Sequence, residues 1–99
     1  MTSERKLRYA WSEDIWAVHI EVHNPCQNGG VLKIDYQDTG FAEEYPVPAR
    51  ASMRYNVCRH SGDNSHLLLS LPTAMDLKLF ENLDRAFYTD TQAILEEVE

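Results

Sequence analysis

The first two thirds of the chain alternate apolar and polar residues with a period of two, which is typical of strands that bury one face. Residues 6–11 alternate in this way, after residues 1–5, which we expect to be frayed. Residues 15–23 and 31–37 alternate as well, and the consecutive glycines between them supply the backbone freedom that a turn needs. The pattern predicts that residues 15–23 and 31–37 form an antiparallel pair.

A second hairpin is predicted further along the chain. Residues 53–58 alternate, residues 61–65 form a turn cluster, and residues 66–71 are largely apolar up to Pro72. An extended connection with an edge strand near residues 45–47 precedes this hairpin, because proline is tolerated at the edge of a sheet.

Two helical alternatives stay open in this part of the chain. Residues 15–23 also place apolar side chains on one helical face behind a Ser12 cap. Pro48 is the other alternative, since proline is favoured at the first position of a helix. The β-branched residues of the stretch 15–23 favour the strand there.

The hydrophobic period changes from that of a strand to that of a helix after Pro72. Thr73 with Asp76 resembles a capping box, and Thr89 with Gln92 forms a second one. The apolar residues that share one helical face are Met75, Leu79, Phe80, Leu83, Ala86 and Phe87, and Ile94 and Val98 continue this face if the helix is unbroken. We therefore predict a C-terminal helix, either continuous or broken near Thr89, that packs on one face of the sheet.

These elements predict an α+β fold in a single domain over residues 1–99. The expected architecture is an antiparallel sheet of four to five strands, arranged as two hairpins, followed by the C-terminal helix. The expected core consists of Trp16, Val18, Ile20, Val22, Leu32, Ile34, Met53, Tyr55, Val57, Leu67, Leu69, Leu79, Phe80, Leu83 and Phe87.

The net charge of the chain indicates which kinds of molecule it is expected to bind. Nine basic residues against sixteen acidic ones give a net charge of −7. Nucleic-acid phosphates and anionic membrane surfaces repel a chain of this sign, so neither is an expected direct partner. A protein with a basic surface is the expected partner instead.

The chain has neither an apolar run long enough to cross a membrane nor the apolar segment of a signal peptide, which favours a cytoplasmic location. Cys26 and Cys58 are then expected to be free thiols in a reducing compartment, with a bridge between them as the alternative.

Histidine and cysteine residues raise the question of a metal site. His19 and His23 share one strand face, and Cys58 and His60 share another, so neighbouring strands would bring these four weak candidates together. Their spacing matches no ligand signature, and outward-facing histidines on strands are mostly surface residues. We therefore expect neither a metal nor another cofactor.

Catalytic residues are not singled out by the sequence. Cys58 and Ser61 lie near His60 and His66 along the chain, but there is no G-x-S-x-G nucleophile elbow and no phosphate-binding glycine loop. The sixteen scattered carboxylates define no acid–base pair. We therefore expect no enzymatic activity.

The predicted helix carries the first candidate for a partner-binding surface. On its outward face Leu77, Tyr88 and Leu95 lie beside Glu81 and Asp84. Apolar and aromatic anchors framed by carboxylates fit a protein partner with a basic surface. A second candidate is the polar outer face of the sheet, which is expected to contain His19, Glu21, His23, Lys33, Asp35, Arg54, Asn56 and His60.

The function indicated by charge and surface pattern is that of a non-catalytic acidic binding protein, which occupies a basic surface of a partner as inhibitors and immunity proteins do. One alternative is a structural or assembly subunit that forms a homodimer through the C-terminal helix. A second alternative is a small metal- or ligand-binding module that uses His19, His23, Cys58 and His60.

Overall fold

The computed structural model describes residues 3–12, 15–62, 64–84 and 89–98. These residues form nine β-strands and contain no helix. The strands are β1 (Glu4–Ala10), β2 (Ala17–His23), β3 (Gly30–Tyr36), β4 (Ala42–Val47), β5 (Ser52–Cys58), β6 (His66–Pro72), β7 (Asp76–Asp84), β8 (Thr89–Gln92) and β9 (Glu96–Val98).

The strands form two antiparallel sheets that pack face to face. The five-stranded sheet has the order β4-β3-β6-β1-β9, and the four-stranded sheet has the order β5-β2-β7-β8. Only β3–β4 and β7–β8 are neighbours both in sequence and within a sheet, so every other connection crosses from one sheet to the other. As a result, β4 and β5 lie on one lateral side of the sandwich, and β8 and β9 lie on the other.

The core lies between the two sheets, where the apolar positions of the alternating strands meet. In β2, for example, Val18, Ile20 and Val22 are buried, and the residues between them point to the outer face. Truncation of one such side chain, as in Ile20→Ala, costs about 2–5 kcal/mol. The buried core consists of Leu7, Tyr9, Trp11, Ile15, Val18, Ile20, Val22, Leu32, Ile34, Tyr36, Val47, Val57, Leu67, Leu69, Leu71, Met75 and Leu79.

The predicted C-terminal helix is wrong, and with it the α+β fold class, because the described part of this region consists of strands β7, β8 and β9. The sequence here supports both periods, since Leu79 follows Met75 by four residues and Leu77 by two. Pairing with β2 selects the strand, because it places Leu77 beside Val22 and Leu79 beside Ile20. Helix propensity is a weak preference that such long-range contacts override.

The strands of the two predicted hairpins are present, but the predicted pairings are wrong. β2 pairs with β5 and β7, whereas β3 pairs with β4 and β6, so β2 and β3 lie in different sheets. β5 and β6 are separated in the same way. Alternation determines which face of a strand is buried, and it does not determine the neighbouring strand. The predicted edge strand is confirmed as β4, which contains Pro46.

Most of the predicted core is confirmed, and two of its aromatic members are not. Trp16 is 59% exposed, and its ring lies over the guanidinium group of Arg59, which is 4.9 Å from the ring centroid. Phe80 lies on the outer face, where it stacks on His19 with 5.0 Å between the ring centroids. Met53 and Tyr55 pack against the core while half-buried. The side chain of Leu83 and the whole of Phe87 lie outside the described part of the structure.

Asn24 fastens the loop between β2 and β3 to the turn between β4 and β5. Its side-chain amide donates to the carbonyl oxygens of Asn28 (2.9 Å), Val47 (3.2 Å) and Pro48 (3.2 Å). Its Oδ1 accepts a hydrogen bond from the backbone N–H of Cys26 at 2.9 Å. Because Asn24 is completely buried, these bonds hold the sheet crossing in a single geometry.

Asp38 holds together two loops at one end of the sandwich. One carboxylate oxygen accepts the backbone N–H groups of Asn64 (2.8 Å) and Ser65 (3.0 Å), and the other accepts the Ser65 hydroxyl at 2.7 Å. These hydrogen bonds, that of the Asn64 amide foremost, lower the pKa of the Asp38 carboxyl. The turn after β3 is thereby attached to the loop before β6.

Candidate functional site

The acidic C-terminal region of the chain builds one lateral side of the sandwich. β8 is the edge of the four-stranded sheet, and β9 is the edge of the five-stranded sheet. Residues 93–95 connect the two, and the N–H of Ala93 donates to the carbonyl of Leu79 at 2.9 Å. This bond ties the start of the crossing segment to β7.

A groove runs along this side, beneath the crossing segment. It has a volume of about 530 Å³ and is lined by residues of β1, β7, β8 and β9 as well as by the crossing itself. Leu77 and Leu95 form part of its wall and pack against the core. Ile94 also lines it and is 98% exposed. We call this feature the β8–β9 groove.

Two ion pairs fasten β9 to β1 beside the β8–β9 groove. Arg5 Nη2 lies 2.7 Å from Glu97 Oε1, and Arg8 Nη1 lies 3.8 Å from Glu96 Oε2. A second nitrogen of Arg5 donates to the carbonyl of Met75 at 3.3 Å. Exposed pairs of this kind contribute about 0–1 kcal/mol, so their main effect is to define the position of the short strand.

The predicted partner-binding residues are only partly brought together. Leu77 and Leu95 meet in the β8–β9 groove, although the helix that was expected to align them is absent from the described residues. Glu81 lies elsewhere, where its Oε2 accepts the Tyr9 hydroxyl at 2.6 Å and the Ser12 hydroxyl at 3.1 Å. Asp84 ends β7, its side chain lies outside the described part, and Tyr88 lies wholly outside it.

The partly buried hydrogen bond between Tyr9 and Glu81 changes the acidity of the Tyr9 hydroxyl. Burial, together with the hydrogen bond and the negative charge of Glu81, raises the pKa of the Tyr9 hydroxyl well above its ordinary value. Glu81 therefore acts as a hydrogen-bond acceptor within the protein, for the Tyr9 hydroxyl of β1.

The residues predicted to share one polar outer face lie at three separate places in the structure. His19, Glu21, His23, Arg54 and Asn56 do share the outer face of the four-stranded sheet, where Glu21 pairs in register with Arg54 and His19 with Asn56. Lys33 and Asp35 lie on β3, in the other sheet, with Lys33 Nζ 4.0 Å from Asp35 Oδ1. His60 follows β5 and stacks on Tyr36 with 4.4 Å between ring centroids.

A second groove, of about 320 Å³, lies on that outer face at the end of β2. Arg54 and Lys78 flank Glu21 across three strands, and Arg54 Nη2 lies 2.9 Å from Glu21 Oε1. In the next row Ser52 and Asp76 flank His23, whose Nδ1 lies 2.8 Å from Ser52 Oγ. The charges alternate, so this surface is balanced and does not present an acidic patch.

The four weak metal candidates do not converge. His23 and Cys58 occupy opposite ends of the β2–β5 ladder, because His23 pairs with Ser52 and Cys58 pairs with Ala17. The His60 ring lies among Tyr36 and Phe41, with its Nε2 3.7 Å from Glu43 Oε1. Within the described residues no group of His, Cys, Asp or Glu side chains is arranged to hold a metal ion.

Sequence reasoning missed two exposed apolar features. The helical pattern predicts Ile94 on the buried face of an unbroken helix, and the structure instead leaves its side chain in solvent. Trp16 was assigned to the core, and it covers Arg59, whose guanidinium donates to the carbonyls of Ser12 and Ile15 at 3.3 and 3.2 Å. The signal available in the sequence was local alternation, since Ala93 and Leu95 pack against the core and Ile94 between them does not.

Comparison with known proteins adds no relative. The chain matches no protein-family model and shows no significant similarity to a curated protein or to a solved structure. Among the described residues, no helix has the length and apolar character required to cross a membrane.

Proposed function

We propose that this protein is a non-catalytic binding module that occupies a basic surface of a partner protein, and that the β8–β9 groove is its contact site. The observation that carries the proposal is Ile94, which is 98% exposed on a tied backbone beside the apolar wall formed by Leu77 and Leu95. A large exposed apolar side chain next to a groove is typical of an anchor for a protein partner.

The energetic argument begins with the anchor. Transfer of a fully exposed isoleucine side chain from water to an apolar contact contributes about 1.5–3 kcal/mol. The Ala93–Leu79 hydrogen bond already fixes the backbone beside Ile94. Less backbone freedom is therefore lost on binding than in an untied loop, and more of that contribution is retained as affinity.

The charge argument concerns the C-terminal quarter of the chain and not the groove lining itself, which contains Arg5, Lys78 and Glu97. Residues 76–99 contain seven acidic and two basic residues, so this quarter of the chain holds a charge of −5 of the total −7. Charge of one sign attracts a partner of the opposite sign over about one Debye length, which is about 8–10 Å at moderate salt. A basic segment with one bulky apolar residue is the ligand that suits both features. The two free cysteines are compatible with action in the cytoplasm, which we include in the proposal.

The test is a selection of peptides from a random displayed library on the immobilised protein, followed by affinity measurements on synthetic copies. We expect enriched peptides to combine Lys or Arg with a bulky apolar residue and to bind more weakly as salt rises. Ile94→Asp is expected to weaken them about tenfold or more, since 1.4 kcal/mol corresponds to a factor of ten. Phe41→Asp is the matched control, because Phe41 is also exposed but lies outside the groove.

A charge-reversal variant distinguishes electrostatic attraction during association from the apolar contact made by Ile94. Glu96→Lys, next to the groove on β9, is expected to slow association of the selected peptides, and Glu44→Lys on β4 is expected to leave it nearly unchanged. Enrichment of acidic peptides, or binding that is equally tight to the Ile94→Asp protein, would show that this groove is not the contact site.

A further inference from the structure

The edges of the two sheets differ in how well they are protected against a further strand. A free edge presents unpaired backbone groups, and natural proteins block it with proline, a very short strand or an irregularity. β4 contains Pro46, β9 has three residues, and β8 has four residues beside an irregular register in β7. β5 has seven residues, no proline and an uninterrupted register with β2.

The hydrogen-bonding groups on the outer edge of β5 follow from its register. At the two ends of the ladder, Asn24 N–H donates to Ala51 and Arg59 N–H donates to Trp16. Residues 51, 53, 55, 57 and 59 therefore direct their backbone groups toward β2, because such pairs alternate along an antiparallel ladder. The backbone groups of Ser52, Arg54, Asn56 and Cys58 consequently point away from β2.

The same alternation of backbone direction explains the position of Pro46 in β4, the edge strand of the other sheet. Tyr36 N–H donates to the carbonyl of Phe41, which makes the odd-numbered residues of β4 the ones that bond to β3. Pro46 therefore occupies an outward position, where the N–H that it lacks would have pointed away from the sheet. β4 is blocked at its edge, and β5 is not.

We propose that β5 pairs with β5 of a second copy of this chain, so that two four-stranded sheets join into one continuous sheet across a twofold axis. The occupant is assigned from the self-complementarity of the edge. With Tyr55 at the axis, Arg54 lies opposite Asn56 of the second copy, and Ser52 lies opposite its Cys58. The four residues whose backbone groups point away from β2 then pair only with residues of the same kind in the second copy. No like charges lie opposite each other.

The register with its twofold axis at Arg54 fits less well. An axis at Arg54 would place two arginines opposite each other, which is unfavourable for adjacent strands. The axis at Tyr55 also brings two tyrosine rings together and sets Met53 against Val57 of the second copy. Tyr36 already donates its hydroxyl to the Cys58 carbonyl at 3.5 Å, and a carbonyl oxygen can accept a second hydrogen bond.

This dimer is independent of the function proposed above. β5 and the β8–β9 groove lie on opposite lateral sides of the sandwich, so the dimer would carry two accessible grooves at its ends. Failure of the peptide selection would not contradict the proposed dimer. A monomeric protein would not contradict the proposal that the β8–β9 groove is a contact site.

The test is the molar mass by size-exclusion chromatography with light scattering over a wide range of protein concentration. We expect the wild type to approach twice the chain mass of 11.4 kDa. Asn56→Pro removes an outward N–H from β5 and is expected to give a monomer with wild-type circular dichroism. Glu44→Pro makes the same change at an outward position of β4 and is expected to leave the dimer intact.

Two measurements keep the test decisive if a proline variant fails to fold. In the wild type, amide hydrogen exchange at Arg54 and Asn56 should slow as concentration rises, while exchange at Met53 and Tyr55 stays slow throughout. Ser52→Cys should form a disulfide with Cys58 of the second copy under oxidising conditions, in the register given above. A concentration-independent monomer, or a dimer that persists in a folded Asn56→Pro protein, would overturn the proposal.

Discussion

Removal of the Asn24 side chain tests how the crossing between β2 and β3 is held. Asn24→Ala deletes the donor to three carbonyl groups and the acceptor for Cys26 N–H. Since an amide NH₂ has two hydrogens for three acceptors, about three hydrogen bonds are lost at about 1 kcal/mol each. We expect the free energy of unfolding to fall by about 3 kcal/mol, which lowers Tm by about 12 °C for a domain of this size.

Asn24→Asp sharpens the test, because it keeps the acceptor and directs a carboxylate at the same carbonyl oxygens. Burial beside these oxygens raises the pKa of the new carboxyl in the folded state. A group with a raised folded pKa favours folding below its unfolded pKa, and this contribution is lost as pH rises through the folded value. The Asp variant should therefore be less stable than the Ala variant at neutral pH and should recover in acid.

Urea unfolding followed by tryptophan fluorescence, at one fixed protein concentration, measures both effects. The midpoint should fall while the slope with urea stays constant. Asn28→Ala is the control, because the Asn28 side chain is exposed and only its backbone carbonyl takes part. An Asn24→Ala protein within about 0.5 kcal/mol of the wild type, the range of an ordinary surface change, would refute the reasoning.

Three further outcomes are expected. The pKa of Asp38 is lowered in the folded protein, so its carboxylate stabilises the fold above the unfolded pKa, and this stabilisation is lost as pH falls through the folded pKa. Asp38→Asn should therefore flatten the acid limb of a Tm-versus-pH curve. Tyr9→Phe should lower the free energy of unfolding by about 1–2 kcal/mol at neutral pH, because Glu81 loses a hydrogen-bond donor. It should also reduce the loss of stability above about pH 10, because the hydroxyl with the raised pKa is removed. Gly40→Ala should cost about 1 kcal/mol in urea unfolding, because φ at Gly40 is 73° and no atom lies near the added methyl group; an unchanged midpoint would contradict this.

Most strand positions of the first two thirds of the chain were predictable, because the period of two directly reflects a half-buried strand. An exception is the start of β1, which begins at Glu4, within the segment 1–5 that was predicted to be frayed. β2 shows this most clearly, since Val18, Ile20 and Val22 are all buried as expected. The pairing was not predictable from the same pattern. The loop after β2 was read as a hairpin turn, and the buried Asn24, which directs the chain to the other sheet, gives no periodic signal.

The last third was misread because its residues satisfy two periods at once. Leu77 and Leu79 fit a strand, and Met75 and Leu79 fit a helix, so the choice depends on β2, which lies more than fifty residues earlier. The candidate site was affected in the same way. Leu77 and Leu95 line the same groove, but they pack against the core and do not lie on the outward face of a helix. The Glu81 carboxylate accepts the hydroxyl groups of Tyr9 and Ser12.

The order of strands has a consequence for folding kinetics. β1 lies between β6 and β9, and Glu4 pairs with Pro72. During synthesis the first strand therefore has no neighbour until most of the chain has left the ribosome. Such a topology has a high contact order, and folding on the millisecond-to-second scale of all-β domains, with little co-translational assembly, is the expected result.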